Sequence, residues 1–424
     1  MPMLQSALGI ALVLAIAWAL SEDRSALPRW RWIAGAVALQ LVGALVILRV
    51  PAVWEALRAA SGAIDVLDQS SRAGSAYMFG YLGGAPLPFE LKPGMPAPVI
   101  IAFQILPLVI FTSALAALLW HFGVLRGIVR GLSWALQRTL GIGGAVGLNA
   151  GANVFLGVVE APLVVRGWLA RLSRSELFMV MTLGMSTVSG VVLILYSQTL
   201  SRVLDNAFGH IVTASLICLP ASLLVARIMV PGESRTGAGA GDVDEAALRY
   251  DGAIDAIVRG TMDGLQLFLA VIAVLMVVFA LVALADHALG VLPTVAGAPL
   301  SVQRVFGWAF APLMWALGMP WAEAVNAGAF MGTKAILNEY VGYLKLAEAQ
   351  AAGTAGLSTR STLILVYAMC GFANLASIGL QVSTLTTLCP ARRAEIVGLG
   401  FRSWVSGNLA TLMIGAVVGL TLPG

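Results

Sequence analysis

Two glutamates, Glu160 and Glu339, sit inside apolar stretches of a 424-residue chain and have the most chemistry to offer. A carboxylate at bilayer depth costs about 2.5–3.5 kcal/mol on insertion scales, so a partner, water or a ligand must offset it. Glu160 stands in Gly157-Val158-Val159-Glu160-Ala161-Pro162, and Glu339 in Gly332-Thr333-Lys334-Ala335-Ile336-Leu337-Asn338-Glu339-Tyr340. Gly with Pro or Asn suits a break where the backbone leaves a helix and its free N–H and C=O groups need ligands. A plainer alternative for Glu339 is an ion pair with Lys334 that only pins the break. Glu323, beside Pro320-Trp321, reads as interfacial. Downstream apolar runs add Ser186, Thr187 and Ser189, then Asn374 and Ser377. Single hydroxyls in such runs usually bond their own i−4 carbonyl or a neighbouring helix. Asn374 has four bonding positions to satisfy. Carboxylate, amide and hydroxyl together suit a polyol such as ribose.

The elements that position these groups follow from composition. The chain is 59% hydrophobic and 11% charged, against about 25% charged in a soluble chain. So little charge cannot cover a water-facing surface, and lipid must be the solvent. The net charge of +4 comes from short basic clusters between apolar runs, the pattern of cytoplasmic loops rather than of a nucleic-acid surface. Cys218, Cys370 and Cys389 lie in or beside apolar runs without CxxC spacing, which implies neither a disulfide framework nor a metal site. The first run has no basic residue before it and ends at Ser21-Glu22-Asp23-Arg24, as a retained span does.

Runs long enough to span occupy 3–21, 30–50, 97–120, 175–200, 207–230, 264–285, 361–388 and 403–422. Residues 52–92 read as an interfacial amphipathic helix with a polar loop, and 231–251 as a hydrophilic linker. Two more runs, 141–170 and 302–345, are interrupted by Gly, Pro, Asn and Glu and read as re-entrant hairpins. With eight spans, two hairpins and the N-terminus outside, sixteen basic residues fall on cytoplasmic segments: Arg24, Arg29, Arg31, Arg126, Arg130, Arg138, Arg166, Arg171, Arg174, Arg227, Arg235, Arg249, Arg259, Arg392, Arg393 and Arg402. Counting either hairpin as a span would put Arg392 and Arg393 on the wrong face. Asn149-Ala150-Gly151-Ala152 in the first hairpin matches Asn326-Ala327-Gly328-Ala329 in the second. Opposite membrane faces for the two hairpins then make an inverted repeat, which places substrate and ion at broken helices near the midplane. The fold class expected is an all-α membrane protein with eight transmembrane helices and two re-entrant helical hairpins.

Three motifs in this order, Gly157-x-x-Glu160-Ala161-Pro162, Gly332-Thr333-Lys334 with Asn338-Glu339-Tyr340-Val341-Gly342-Tyr343, and Cys370-Gly371-Phe372-Ala373-Asn374-Leu375-Ala376-Ser377-Ile378, resemble the signatures of the concentrative nucleoside transporters. The resemblance covers nearly the whole chain. It implies a homotrimer in the cytoplasmic (inner) membrane that works as an elevator. Residues 1–92 and 232–300 would form a scaffold, 93–140 a third span and connector, and 141–231 and 301–424 the transport domain. It further implies that Glu339, Asn374 and Ser377 bind ribose hydroxyls and that Phe372 and Val192 line the pocket. The first hairpin tip, Gly157, Val158, Val159 and Glu160, would face the nucleobase. Coupling sodium would lie among the Asn153 side chain, the Leu156 carbonyl, the Thr187 hydroxyl and the Val188 carbonyl, oxygen ligands that suit a hard cation. Thr187 replaces the family's usual Ser.

The tip departs from the family, which usually has Gln and a hydroxyl residue where this chain has Val158 and Val159. An apolar surface discriminates by shape rather than by hydrogen bonds, so the ribose half of recognition is expected to persist and the base half to change. A different substrate on the same scaffold and a proton in place of sodium are the competing expectations. His121, His210 and His287 all lie at or near span ends, and no HExxH or GxSxG motif occurs, which argues against an enzyme.

Overall fold

The computed structural model describes residues 2–90, 99–201, 203–232, 249–295 and 297–422. Most of the hydrophilic linker, with Arg235, lies outside the described residues, as do residues 97 and 98 at the start of the third run. Every described element of regular structure is helical. The first, second and fifth spans are Pro2–Ala19, Trp30–Arg49 and Ala207–Met229. The third is Ile101–Gln104 with Pro107–His121, and the last is Arg393–Thr421. The sixth, Ala253–Gly290, has 38 residues and is about 57 Å long at 1.5 Å per residue. Two spans are broken: Arg174–Ser186 resumes at Gly190–Leu200, and Thr359–Met369 resumes at Leu375–Leu388. This is a multi-pass membrane protein.

Polar residues punctuate the apolar sequence where helices begin. Ser173 and Glu176 form a reciprocal capping box, and Asn206, Ser358, Asn338 and Asn374 each accept a hydrogen bond from a first-turn N–H. Such caps satisfy donors that lipid cannot, and each contributes about 1 kcal/mol.

One end of the bundle gathers the basic segments. Arg174 bonds Glu22 at 2.7 Å and lies 3.4 Å from Glu395, Arg402 approaches Glu22 at 3.3 Å, and Arg392 pairs with Glu395. Arg392 also donates to the carbonyls of Leu169 and Leu172 at the base of the first hairpin. At the opposite end Arg49 donates to the Thr421 carbonyl and Arg360 to those of Gly419 and Leu422. The expected clustering of Arg174, Arg392 and Arg402 on one face is therefore realised.

The hairpins open to these two opposite ends. The first arm of the first hairpin is Gly144–Asn153, and a 3₁₀ segment Ala161–Trp168 returns the chain. The second is built from Trp321–Ile336 and Glu339–Ala351. Its antiparallel pairing shows in Asn326 donating to the Ala355 carbonyl and in Glu323 accepting from Ser358 N–H and hydroxyl. That pairing corrects the expected boundary of 302–345. Val302–Ala316 is a separate helix bent by 120° from Trp321–Ile336, the turn being made at Gly318 with φ +108°. Its counterpart before the first hairpin is Val124–Leu140, whose buried Leu125, Val129, Ser133, Leu136 and Leu140 recur at helical spacing. Each half thus runs span, amphipathic helix, hairpin, broken span, span.

The third and sixth spans approach closely, glycines of the sixth lying against Ile110, Ser113, Ala114 and Ala117 of the third. A Cβ at Gly260 would lie 2.7 Å from that of Ala117, and one at Gly264 would lie 2.7 Å from the Ile110 Cα. This is a small-xxx-small seam of the kind that lets membrane helices touch backbone to backbone. Span two is bonded to the last span through Arg49 and the Thr421 carbonyl, and span one and the turn after it are bonded elsewhere. Ser6 donates to the Leu317 carbonyl, Ser21 to that of Ile228, and Glu22 N–H to that of Met229.

Candidate substrate and ion site

Glu339 is the first residue of the second arm, placed by the Asn338 cap, whose Oδ1 accepts from Val341 N–H at 2.8 Å. It is 2% exposed, so protein rather than lipid surrounds it. Its Oε1 accepts from the Tyr196 hydroxyl at 2.5 Å and its Oε2 from Asn374 Nδ2 at 3.2 Å. Asn374 caps the resumed seventh span through Oδ1, which accepts from Ser377 N–H at 2.9 Å. The second hairpin tip and the seventh-span break therefore meet, bringing Glu339, Asn374 and Ser377 together. Phe372 is half-buried in the same break.

Lys334 does not pin Glu339 directly. Its Nζ donates to Asn408 Oδ1 at 2.8 Å and Thr411 Oγ1 at 3.3 Å on the last span. Glu323 is tied to Ser358 at the exposed end of the hairpin, as an interfacial residue would be.

The first hairpin tip docks on the fourth-span break. Gly190 N–H donates to the Phe155 carbonyl at 3.1 Å, between Asn153 and Leu156 on one side and Thr187 and Val188 on the other. Asn153, Thr187 and Val188 are buried, and Leu156 is half-buried. The Thr187 hydroxyl donates to the Leu183 carbonyl at 2.7 Å, which leaves its oxygen lone pairs for a cation. Glu160 turns back on its own loop, accepting from Gly157 N–H at 2.9 Å. Val158 is buried, and a Cβ at Gly184 would lie 2.9 Å from its Cγ2 and 2.6 Å from Gln381 Nε2. Val158 thus packs on the fourth span beside Gln381, while Val159 stays half-buried. Val192 is buried within the resumed fourth span. Ser186 donates to the Thr182 carbonyl and contacts Ser222, so it serves packing.

Sequence reasoning missed three contributors. Tyr196 stacks on Tyr340 with centroids 6.0 Å apart and lies 5.1 Å from Tyr343. Asn408 donates to the carbonyls of Ala373 and Trp404 while holding Lys334. Gln381 donates to the Met181 carbonyl at 2.7 Å and accepts from Ser403 at 3.1 Å. A tyrosine, asparagine or glutamine within a span needs a partner for its polar end, and that need was the signal available.

Two opposed re-entrant hairpins meeting two broken spans define a secondary membrane transporter with a site at the helix breaks. The chain belongs to the Na+ dependent nucleoside transporter family, whose N-terminal profile matches residues 8–82, whose C-terminal profile matches 210–419, and whose nucleoside-recognition gate profile matches 102–202. It is 32% identical over 425 residues to the putative nucleoside permease NupX of Escherichia coli (99% of each chain) and 31% identical over 417 residues to the nucleoside permease NupC of Helicobacter pylori (98% and 97%). The structure of CNTnw in an inward-facing substrate-bound state superposes with a TM-score of 0.85 at 34% identity, covering 98% of both chains. A single-substitution variant of CNTnw in an intermediate state gives 0.89 at 34% identity with full coverage of both. The family's members are transporters, not enzymes.

Proposed function

We propose that this protein is a symporter that carries nucleosides into the cell across the cytoplasmic membrane, with sodium as the coupling ion. The observation that carries the reading is the buried Glu339–Asn374 pair with Ser377 beside it, where two helix breaks meet. An ionised carboxylate offers about four acceptor sites. Tyr196 and Asn374 occupy two, leaving two for vicinal ribose hydroxyls. Phe372 and Val192 line this pocket. Sodium is assigned to Asn153, Leu156, Thr187 and Val188, supported by the Phe155–Gly190 bond that joins their segments. Sodium binding orders the tip Gly157–Glu160, the nucleoside seats between the tips, and the loaded body crosses by alternating access.

The Gly260–Gly264 seam supports the third and sixth spans as the static frame, assembled as a homotrimer. The bonds of spans one and two to spans five and eight support their travelling with the hairpins, which moves them out of the scaffold expected for residues 1–92. Val158, packed against Gly184, supports a base preference set by shape.

The test is uptake into proteoliposomes over a nucleoside panel, under an imposed sodium gradient and separately an imposed proton gradient. Uridine uptake driven by sodium is expected, and competition by purines, deoxynucleosides and free ribose maps specificity. Uptake driven only by protons would replace sodium, and no nucleoside uptake under either gradient would refute the substrate.

A further inference from the structure

Lys334 is fully buried and has no role in the mechanism so far. Both Nζ partners, Asn408 and Thr411, are neutral, and among the described residues no carboxylate lies within ion-pair distance of it. A buried ammonium without an answering negative charge is expensive. Glu339 lies five residues on, across the hairpin tip, and is the carboxylate within Coulombic reach of Lys334. The lysine stem runs against Gly342, one turn past Glu339, where a Cβ would stand 3.5 Å from the Lys334 Cβ.

The neutral partners have a second purpose. Asn408 accepts from Lys334 and donates to the Ala373 carbonyl at 3.1 Å. Ala373 precedes Asn374, whose Nδ2 reaches Glu339. A ring thus runs from Lys334 through Asn408, Ala373 and Asn374 to Glu339 and back across the tip, coupling the last span, the seventh-span break and the second hairpin.

We propose that Lys334 is the fixed counter-charge of Glu339 and, through Asn408, the positioning residue for Asn374. The positioning half rests on the nucleoside reading above; the charge half does not. With Lys334 in place the Glu339 pocket is neutral, so no second cation is needed there.

The experiment is a thermal-unfolding cycle in detergent on the full-length wild type, Lys334→Met, Glu339→Gln and the double variant, joined by uridine binding to wild type, Lys334→Met and Asn408→Ala. Lys334→Met is expected to lower Tm, and adding Glu339→Gln to recover most of that loss, because the orphaned charge is gone. If Lys334→Met yields no folded protein, recovery of folded protein in the double variant is the same rescue. Losses that merely add, or a double variant no better folded, overturn the counter-charge. Uridine affinity should fall about tenfold or more in Lys334→Met, the equivalent of one charged hydrogen bond lost. Asn408→Ala, which keeps the charge, should also bind uridine more weakly, and unchanged affinity there overturns the positioning role. A wild type that binds no nucleoside yet shows the stability rescue refutes the substrate reading and leaves the charge pair standing.

Discussion

Glu339→Gln tests the ribose reading most directly. The carboxylate accepts from Tyr196 at 2.5 Å and from Asn374 at 3.2 Å and is 2% exposed. A glutamine keeps one acceptor oxygen and turns its NH₂ towards a donor. If the oxygen stays with Tyr196, the new NH₂ faces the NH₂ of Asn374, and neither can accept. A ribose hydroxyl then loses at least one hydrogen bond to a charged acceptor, worth about 1.5–3 kcal/mol. Uridine KM should therefore rise about 10- to 150-fold, measured as initial uptake into proteoliposomes with binding checked by calorimetry. The loss should be specific to the sugar: 3′-deoxyuridine, already lacking one donor, should lose less than uridine between wild type and variant. A uridine KM within about threefold of wild type, or equal losses for the two nucleosides, would refute ribose binding at Glu339.

Thr187→Val removes the hydroxyl oxygen and keeps the shape; the sodium needed for half-maximal uptake should rise about tenfold, and an unchanged sodium dependence would remove Thr187 from the ion site. Val158→Gln places an amide beside Gly184 and Gln381 and should alter the purine–pyrimidine competition profile; an identical profile refutes the base side of the tip. Gly371→Ala would put a Cβ 2.5 Å from the Ser186 carbonyl oxygen and 2.6 Å from Thr411 Cγ2, an overpacking worth about 1–3 kcal/mol and visible as a lower Tm. The Arg174 hydrogen bond, chief among its causes, holds the Glu22 carboxyl below its usual range. A lowered carboxylate pKa gives stability that is present above the unfolded-state value and lost as pH falls through the folded one. Because both groups are partly exposed, the effect is below about 1 kcal/mol, and Arg174→Met should flatten that acid-side slope in thermal unfolding, Arg402 remaining beside Glu22.

The legible parts of this molecule were those where a polar residue interrupts an apolar run. Glu339, Asn374 and Ser377 announced themselves that way, and the structure brings them together. Clustered arginines marked one end of the bundle for the same reason, since charge outside lipid leaves a pattern along the chain. Boundaries within uniformly apolar sequence were not legible. Leu317-Gly318-Met319-Pro320 joins two helices at 120°, yet only a glycine and a proline signal the bend, so Val302–Ala316 merged with the hairpin. Val124–Leu140 passed as a connector because Arg126, Arg130 and Arg138 dilute its hydropathy, although its buried stripe is regular. Tyr196 and Asn408 were missed because their partners lie 143 and 74 residues away; the first closeness is set by packing between the two halves and the second by packing of the last span on the second hairpin.

The seam at Gly260 and Gly264 has a mechanical consequence. Two helices this close at their glycines leave no gap there for an acyl chain, so they resist lateral bilayer pressure as one beam. Tilt imposed on the 38-residue helix by a thinner or thicker membrane must then be shared by its partner Pro107–His121. Bilayer thickness would thereby reach the amphipathic helix Val124–Leu140 and the hairpin beyond it, making the hydrocarbon depth of the host membrane a determinant of turnover.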